Sequence, residues 1–185
     1  MKTKGTTVRS IKNQLLEMDK EVYNKWFDSL SEEAKNIFSS KININNMYSM
    51  DILKEASEKA ALLLDMDLNK FSYSNAVYSV EVAMNGFLKI ISTVSSLKFI
   101  FTKTQTFLKS YFDFGETRLL KATNTNASFL VYDIPTEYEF IIWRMYGWMT
   151  KIIEIKSKEL INKNITILEP QNNLLRTQFD YEYKL

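Results

Sequence analysis

The sequence predicts an α+β domain in which helices form the N-terminal part and a small antiparallel sheet carrying one helix forms the C-terminal part. Apolar residues recur at intervals of three and four as far as Gly115, and shorter strand-like patterns follow it. Only four glycines and two prolines occur among the 185 residues, so we expect long elements with few breaks. We expect a single domain over residues 1–185, with the helical part at about 8–114 and the sheet part at about 115–185.

Six helices are predicted in the first part from the apolar spacing. In chain order they are Val8 to Met18, Lys20 to Leu30, a short helix after Ser31 that fades at Ser39-Ser40, a helix after Ser49 that continues through Leu64, about Phe71 to Ile91, and the segment that follows Ser95-Ser96 and ends at Gly115. Ser31 and Ser49 are the expected N-caps, because a serine hydroxyl accepts a hydrogen bond from a free N–H group of the first turn.

The second part is predicted to consist of strand, strand, helix, strand and strand. The segments Thr117 to Ala122 and Ser128 to Ile134 form a hairpin whose loop is the run Asn124 to Asn126. Thr136 and Glu139 have the spacing of a capping box, so the helix is expected to begin there.

The third strand of this part is expected at Asn164 to Glu169 and is expected to end at Pro170. The last strand is the clearest element of the chain, because apolar and polar residues alternate strictly along it. Its expected buried face carries Leu175, Thr177, Phe179, Tyr181 and Tyr183.

Histidine and cysteine are both absent from the sequence. Their absence excludes an imidazole-ligated metal or haem, a Ser-His-Asp or Cys-His catalytic centre, a thiolate zinc site and a disulfide within the chain. Acidic pairs such as Glu32-Glu33 lie in caps or loops, where carboxylates ordinarily serve the helix dipole or solvent. The composition therefore predicts no enzyme, no catalytic residue, no metal and no cofactor.

The charge of the chain is nearly balanced, with 24 basic and 22 acidic side chains and a net charge of +2. A basic cluster occurs only near the start, at Lys2, Lys4, Arg9 and Lys12, where a solvated arm competes with a nucleic-acid or membrane-surface contact. We expect no nucleic-acid partner and no membrane span. Because residues 1–11 lack the apolar core of a signal peptide, we expect a cytoplasmic protein.

Aromatic side chains are numerous, with 12 Phe, 10 Tyr and 3 Trp. Their ordinary use is to fill the core, and the alternative is to line an apolar ligand pocket where the helical layer meets the sheet. The pocket candidates are Phe101, Phe107, Tyr111, Phe112 and Trp148.

Gly147 interrupts an otherwise good helical pattern between Tyr146 and Trp148. A glycine inside a helix costs about 0.5–1 kcal/mol relative to alanine. We therefore expect another backbone to pack closely against this position.

The order of four segments along the chain resembles a bacterial family of unknown function, the myxobacterial type, which is related to the 4-vinyl reductase domain. These segments are Lys4-Gly5, the run Ser29 to Ala34, the helix end at Tyr111 to Gly115, and Tyr146-Gly147-Trp148. That group is similar in fold to the haem-nitric-oxide-binding (H-NOX) domain and to the small subunits of the TRAPP tethering complex. The resemblance covers roughly residues 4–183.

The resemblance implies an H-NOX/TRAPP-like domain that encloses a hydrophobic ligand or pairs with other domains. Members of the wider group hold haem, a fatty acyl chain or a small hydrocarbon-like molecule, and several dimerise, so a homodimer is expected here. The chain departs from the group in two respects. Without histidine it cannot have the proximal haem ligand of the H-NOX type, and without cysteine it lacks the thiols found near the last hairpin of 4-vinyl reductase-like domains.

Two functions from different classes follow. The first is a non-enzymatic ligand-binding or sensory domain with an apolar pocket for a small hydrophobic molecule or an acyl chain. The alternative is a dimerising interaction or scaffold module without a ligand, whose aromatic stripes face a partner. An internal elongated cavity favours the first function, and a filled core with an exposed apolar patch favours the second.

Overall fold

The helical part of the protein precedes a four-stranded sheet that carries one long helix. The computed structural model describes residues 1–84 and 96–185. The helices in these ranges are α1 (Gly5–Met18), α2 (Lys20–Asp28), α3 (Glu32–Ser39), α4 (Met50–Leu63), α5 (Leu68–Met84), α6 (Leu97–Thr102), α7 (Thr104–Tyr111) and α8 (Phe140–Lys156). The strands are β1 (Lys2–Lys4), β2 (Met47–Ser49), β3 (Glu116–Ala122), β4 (Asn126–Pro135), β5 (Glu159–Gln171) and β6 (Leu174–Lys184).

The predicted helix starts are confirmed at two serines. The Ser31 hydroxyl accepts a hydrogen bond from the Ala34 N–H, and the Ser49 hydroxyl accepts one from the Asp51 N–H. The core of this part forms around Trp26, whose indole N–H donates to the Ala56 carbonyl oxygen at 2.9 Å. These contacts hold the first four helices together, because α2 and α3 pack on α4 through buried rings and small residues.

The main sheet is antiparallel with the order β3-β4-β6-β5, which confirms the predicted α+β fold. Strand β6 lies between β4 and β5, and the alternation along it is confirmed, since Phe179 and Tyr183 are fully buried. At the hairpin between β5 and β6, Asn172 and Asn173 have positive φ angles of 52° and 60°, as a tight two-residue turn requires.

Helix α8 packs between the sheet and α5. Gly147 allows this approach, because a Cβ atom built on it would lie 2.5 Å from the Tyr73 carbonyl oxygen of α5. The expectation of close backbone packing at this glycine is confirmed.

Several expectations about element boundaries are wrong. The last helix of the first part ends at Tyr111, four residues before the expected end at Gly115. The single helix expected after Ser96 is broken at Lys103 into α6 and α7, where the β-branched Thr102 and Thr104, which have low helix propensity, flank the break. Strand β5 begins at Glu159, five residues before its expected start at Asn164, and continues through Pro170, as an outer strand permits where the register shifts between Leu168 and Gln171.

The capping box expected at Thr136 and Glu139 does not form. Residues Thr136–Tyr138 make a 3₁₀ turn, and α8 begins only at Phe140. The Glu139 carboxylate instead accepts hydrogen bonds from the Asn69 side-chain amide at 3.2 Å and from the Trp143 indole at 3.4 Å. These partners hold the carboxylate away from the backbone N–H groups that a capping box would satisfy.

Strands β1 and β2, which the sequence does not predict, form a separate two-stranded sheet. The helix expected at about Phe71 to Ile91 is found as Leu68–Met84, and its last predicted residues lie outside the described ranges. Within residues 1–84 and 96–185, no helix combines the length and the apolar character that crossing a bilayer requires.

Candidate functional site

A cavity of about 530 Å³ lies where the helical part meets the sheet. Its volume falls in the range of about 300–1,000 Å³ that is typical of small-molecule sites. The walls come from α1, α5, α7, α8 and the inner face of the sheet. Apolar residues of the wall include Ala76, Leu108, Phe129, Val131, Met149 and Phe179. A space of this size and lining can hold an apolar molecule.

Four of the five predicted pocket residues lie on this wall: Phe107, Tyr111, Phe112 and Trp148. The Phe107 and Trp148 rings pack edge to face with their centroids 5.6 Å apart. That these residues bind a ligand remains a prediction.

Phe101 does not contribute to the wall. It is fully buried, and its ring packs edge to face on Phe129 at 5.1 Å and on Tyr183 at 6.2 Å. The break at Lys103 separates its helix from α7, so the two segments do not present one continuous face to the cavity. The placement of Phe101 at the pocket is therefore corrected: its ring fills the core beside the sheet.

Arg144 is the one strongly charged group buried against the cavity among the described residues, with 6% of its surface exposed. It lies on α8. Its guanidinium donates to the Asn75 side-chain oxygen on α5 at 2.6 Å and to the Ser10 hydroxyl oxygen on α1 at 2.7 Å. One side chain thus connects three helices around the cavity.

Asn75 and Ser10 are themselves held in place by neutral groups. The Asn75 amide nitrogen donates to the Gln14 side-chain oxygen at 2.7 Å. The Ser10 hydroxyl lies 2.7 Å from the Thr7 carbonyl oxygen and 2.8 Å from the Asn75 side-chain oxygen, either of which can accept its proton. The acceptors around the Arg144 cation are therefore fixed dipoles.

No carboxylate compensates this cation in the part of the chain that the structure describes, because none of the ion pairs found there includes Arg144. Residues 85–95, which lie outside that part, contain no Asp or Glu. Burial lowers the pKa of Arg144 from 12.5 to about 10, so the group is still charged near neutral pH. The site therefore carries a positive charge inside an apolar cavity.

Tyr111 is electrostatically coupled to this cation. Burial raises the pKa of Tyr111, and the nearby Arg144 charge lowers it by a smaller amount, so the phenol keeps its proton at neutral pH. Among the described residues, no side chain or backbone group accepts or donates a hydrogen bond at the Tyr111 hydroxyl. This hydroxyl is consequently a free polar group beside the guanidinium.

Arg144 and its partners are not among the residues that the sequence singles out. A signal is nevertheless present, because Arg144 is the only charged residue in the first eleven positions of α8, between Trp143 and Met145. A lone arginine within such an apolar run has to be buried or reach solvent along its stem. The sequence cannot say which of the two occurs.

A second, smaller depression lies between α4, α5 and the start of α8, and its charged residues include Lys54, Glu58 and Asp67. Its side chains bond to one another, as in the Lys54–Glu58 ion pair and the hydrogen bond from Asn69 to Glu139. In the ranges that the structure describes, no cluster of three or more Asp, Glu, His or Cys residues is arranged to hold a metal ion.

The fold has close counterparts among solved structures, although no family model and no curated protein matches the sequence. The Fe(II) unliganded H-NOX protein from K. algicida is 11% identical over 98% of this chain and 97% of its own, with a TM-score of 0.71. An oxygen-binding H-NOX domain related to soluble guanylate cyclases, in its oxygen complex, is 11% identical over 98% of this chain and 95% of its own, with a TM-score of 0.69.

A third structure, from a study of haem redox potential and porphyrin distortion, is 12% identical over 97% of this chain and 99% of its own, with a TM-score of 0.67. These neighbours overturn the prediction that the protein takes no cofactor. That prediction took the absence of imidazole and thiolate as the absence of a cofactor site, whereas proteins of this fold are described with haem and iron.

The expected resemblance is confirmed for the H-NOX part only. No family model supports the link to the myxobacterial-type family or to the 4-vinyl reductase domain. At 10–12% identity the likeness is one of fold, and it extends over nearly the whole chain. The helices, the sheet and the long helix packed on it together give this chain the fold of the H-NOX domains.

Proposed function

We propose that the protein is a ligand-binding sensory domain whose ligand occupies the apolar cavity between the helices and the sheet. The observation that supports this most directly is the cavity itself, with a volume of about 530 Å³ and largely apolar walls. Close packing is the rule in protein interiors, and voids much larger than a water molecule are few. This space is partly open to solvent, since Arg9 and Val82 on its wall are exposed, and a concave apolar site of this size is the usual form of a small-molecule site.

A sensory role without catalysis fits the residues around the cavity. The wall offers apolar side chains, one buried cation and several hydroxyl groups, and the chain has no imidazole or thiol to act as a base or nucleophile near neutral pH. The neighbours of the same fold include an oxygen-binding domain. We also propose that the protein is located in the cytoplasm and is related to 4-vinyl reductase-like proteins.

Haem is a candidate occupant because a neighbour of this fold is described by its haem redox potential. The cavity fits the periphery of such a group, since Arg144 supplies the cation that a propionate would meet and the walls suit an apolar ring. It does not fit an imidazole-ligated iron, because the chain has no histidine. The wall residues whose side chains could instead bind an iron are Tyr111, Met145 and Met149.

The burial of Tyr111 works against its use as an iron ligand. Its raised pKa keeps the phenol protonated, and tyrosine binds ferric haem as the phenolate. A bound haem would supply an iron centre able to take a small gas or an electron. The chain itself would contribute the apolar enclosure and the positive charge at Arg144.

Native mass spectrometry of the purified protein, followed by thermal unfolding with added ligands, tests the proposal. Fatty acids of rising chain length and haem form the two arms of the ligand series. A retained small molecule, or a ligand-dependent rise in melting temperature, is the expected result, because a ligand that binds only the native state stabilises it by mass action. No retained molecule and no shift with any member of either arm would contradict the proposal.

A second function is favoured by the surface of β5. This strand lies at the edge of the sheet and exposes the apolar residues Ile161, Ile167 and Leu168. An open strand edge with apolar side chains is suited to pairing with a second copy of the chain. Two results together would support the scaffold function over the sensory one. The protein would form a concentration-dependent dimer that Ile167→Lys abolishes, and no added ligand would change its melting temperature.

A further inference from the structure

The Arg144 guanidinium is a buried charge whose energetic cost is not met by the residues around it. Moving an ion out of water costs several kcal/mol unless it is paired and fully hydrogen-bonded. Here both acceptors, Asn75 and Ser10, are neutral. The lowered pKa of Arg144 has burial as its largest cause, in agreement with the lack of a counter-ion among the residues that the structure describes.

The guanidinium also has N–H groups that donate no hydrogen bond to the described residues. An arginine side chain carries five N–H donors in a planar fork, and two of them are used in the hydrogen bonds to Asn75 and Ser10, the only ones found within residues 1–84 and 96–185. Arg144 lines the cavity, so its remaining donors are available to a group inside it.

One further polar group of the cavity wall has no hydrogen-bond partner among the described residues. This group is the Tyr111 hydroxyl, whose pKa burial raises and the positive charge of Arg144 lowers by a smaller amount, as expected for neighbouring groups on one cavity wall. An unpartnered hydroxyl therefore accompanies the buried cation in a cavity whose accessible surface is mainly apolar.

We propose that Arg144 is the anchor for the carboxylate of a long-chain carboxylic acid whose alkyl chain lies along the apolar wall of the cavity. This inference rests on the proposed function, since it requires that the cavity hold a ligand. The planar fork of arginine matches a carboxylate with two parallel hydrogen bonds, and the Tyr111 hydroxyl can donate to a remaining lone pair. The alkyl chain then meets residues such as Phe107, Leu108 and Trp148.

The same carboxylate chemistry occurs at the edge of a porphyrin. A long-chain carboxylic acid and a porphyrin differ in what carries the carboxylate, which is a flexible alkyl chain in the first and a flat ring in the second. The experiment therefore compares dodecanoate with metal-free protoporphyrin, and it uses 1-dodecanol as the uncharged match for dodecanoate.

The test measures the dissociation constants of dodecanoate and 1-dodecanol by titration calorimetry at neutral pH. For the wild type, the acid is expected to bind at least about 10-fold more tightly than the alcohol, because hydrogen bonds to a charged group are the strong ones. Arg144→Met is expected to abolish this preference while the alcohol still binds. Arg9→Met is the matched control, since Arg9 lines the same cavity but is exposed, and the preference is expected to persist in it.

Asn75→Asp provides a second variant in case Arg144→Met does not fold. Its side-chain oxygen is already 2.6 Å from the guanidinium, so the substitution supplies a built-in counter-ion with almost no change of shape. The variant loses the hydrogen bond from Asn75 to Gln14 but gains an ion pair with Arg144, so it is expected to fold. It is also expected to lose the preference for dodecanoate over dodecanol.

The outcomes separate this inference from the proposed function. Equal binding of acid and alcohol by the wild type would overturn the role of Arg144 and leave the apolar cavity as the binding site. A preference that disappears in Arg9→Met but persists in Arg144→Met would also overturn it. Binding of neither probe, together with no binding of protoporphyrin, would overturn the proposed function, and Arg144-dependent binding of protoporphyrin alone would overturn the alkyl carboxylate as the ligand.

Discussion

Replacing Gly147 by alanine tests how tightly α8 and α5 are packed beside the cavity. The new Cβ atom would lie 2.5 Å from the Tyr73 carbonyl oxygen and 3.1 Å from the Tyr73 Cα atom. Ordinary contacts of a Cβ atom begin at about 3.4 Å, so the two helices would have to separate by about 0.9 Å, the difference between 3.4 and 2.5. Both atoms belong to the backbone, which cannot move aside as the end of a flexible side chain can.

The expected net effect is a loss of stability. Overpacking of a close interface costs about 1–3 kcal/mol, and contact with backbone puts this case at the upper end. Alanine gains about 1 kcal/mol over glycine in helix propensity. The difference is a decrease of about 1–2 kcal/mol in the free energy of unfolding, or a melting temperature lower by about 2–8 °C for a domain of this size.

Thermal unfolding followed by circular dichroism measures this shift. Tyr73→Ala serves as a second background, because it removes the ring contact at 3.1 Å but leaves the carbonyl contact in place. Gly147→Ala is therefore expected to destabilise the Tyr73→Ala protein as well. An unchanged or raised melting temperature in the wild-type background would refute the argument, since it would mean that the helices separate at no cost.

Three further predictions follow from the core, the cavity and the buried phenols. Phe179→Asp is expected to unfold the domain or to lower its free energy of unfolding by more than about 3 kcal/mol, because it puts an unpaired carboxylate at a fully buried position. Asp180→Ala, on the opposite face of β6, is expected to cost about 1 kcal/mol or less. Urea unfolding measures both changes. Phe107→Ala is expected to cost less than a fully buried phenylalanine would, because the ring is half-buried at the cavity, and to reduce the rise in melting temperature that dodecanoate produces. Burial raises the pKa of Tyr138 and of Tyr146 to about 12, so the unfolded chain loses these phenol protons at a lower pH than the folded protein does. The free energy of unfolding should therefore fall as the pH rises from about 10 to about 12. Urea unfolding at a series of alkaline pH values measures this fall.

Each of these predictions has a result that would contradict it. Equal effects of Phe179→Asp and Asp180→Ala would mean that both faces of the last strand are covered alike. A Phe107→Ala protein that loses several kcal/mol of stability and still gains the full shift from dodecanoate would place that ring in the packed core. Constant stability across the alkaline range would mean that the buried phenols titrate as they do in the unfolded chain.

The parts of the fold that the sequence predicts correctly have signals that are local in the chain. Alternation over the last strand placed Leu175 and Phe179 on the buried face, because a strand in a one-sided sheet must turn every second side chain inward. The close approach at Gly147 was predictable from one residue, since a mid-helix glycine needs a compensating contact. A cavity was also expected at the junction of helices and sheet; four aromatic candidates lie on the wall of the one found there, and their binding of a ligand stays a prediction.

The parts that the sequence does not predict depend on contacts between distant segments. Arg144 meets Ser10 across 134 positions of the chain and Asn75 across 69, and no local pattern records such a meeting. Phe101 was assigned to the cavity because one helix was expected where two occur. The apolar spacing from Leu97 to Leu108 is that of one helix, so the break at Lys103 is not visible in the pattern.

Because one guanidinium joins three helices, any group that takes over its donors also changes how those helices are held to one another. A ligand on Arg144 competes with or reinforces the bonds to Ser10 on α1 and to Asn75 on α5. Thermodynamic linkage then works in both directions: a partner protein that fixes the position of α1 must change the affinity of the cavity by the same factor by which the ligand changes the affinity for that partner. Binding at α1 and binding in the cavity beside α8 would thus be energetically coupled through the single buried charge of Arg144.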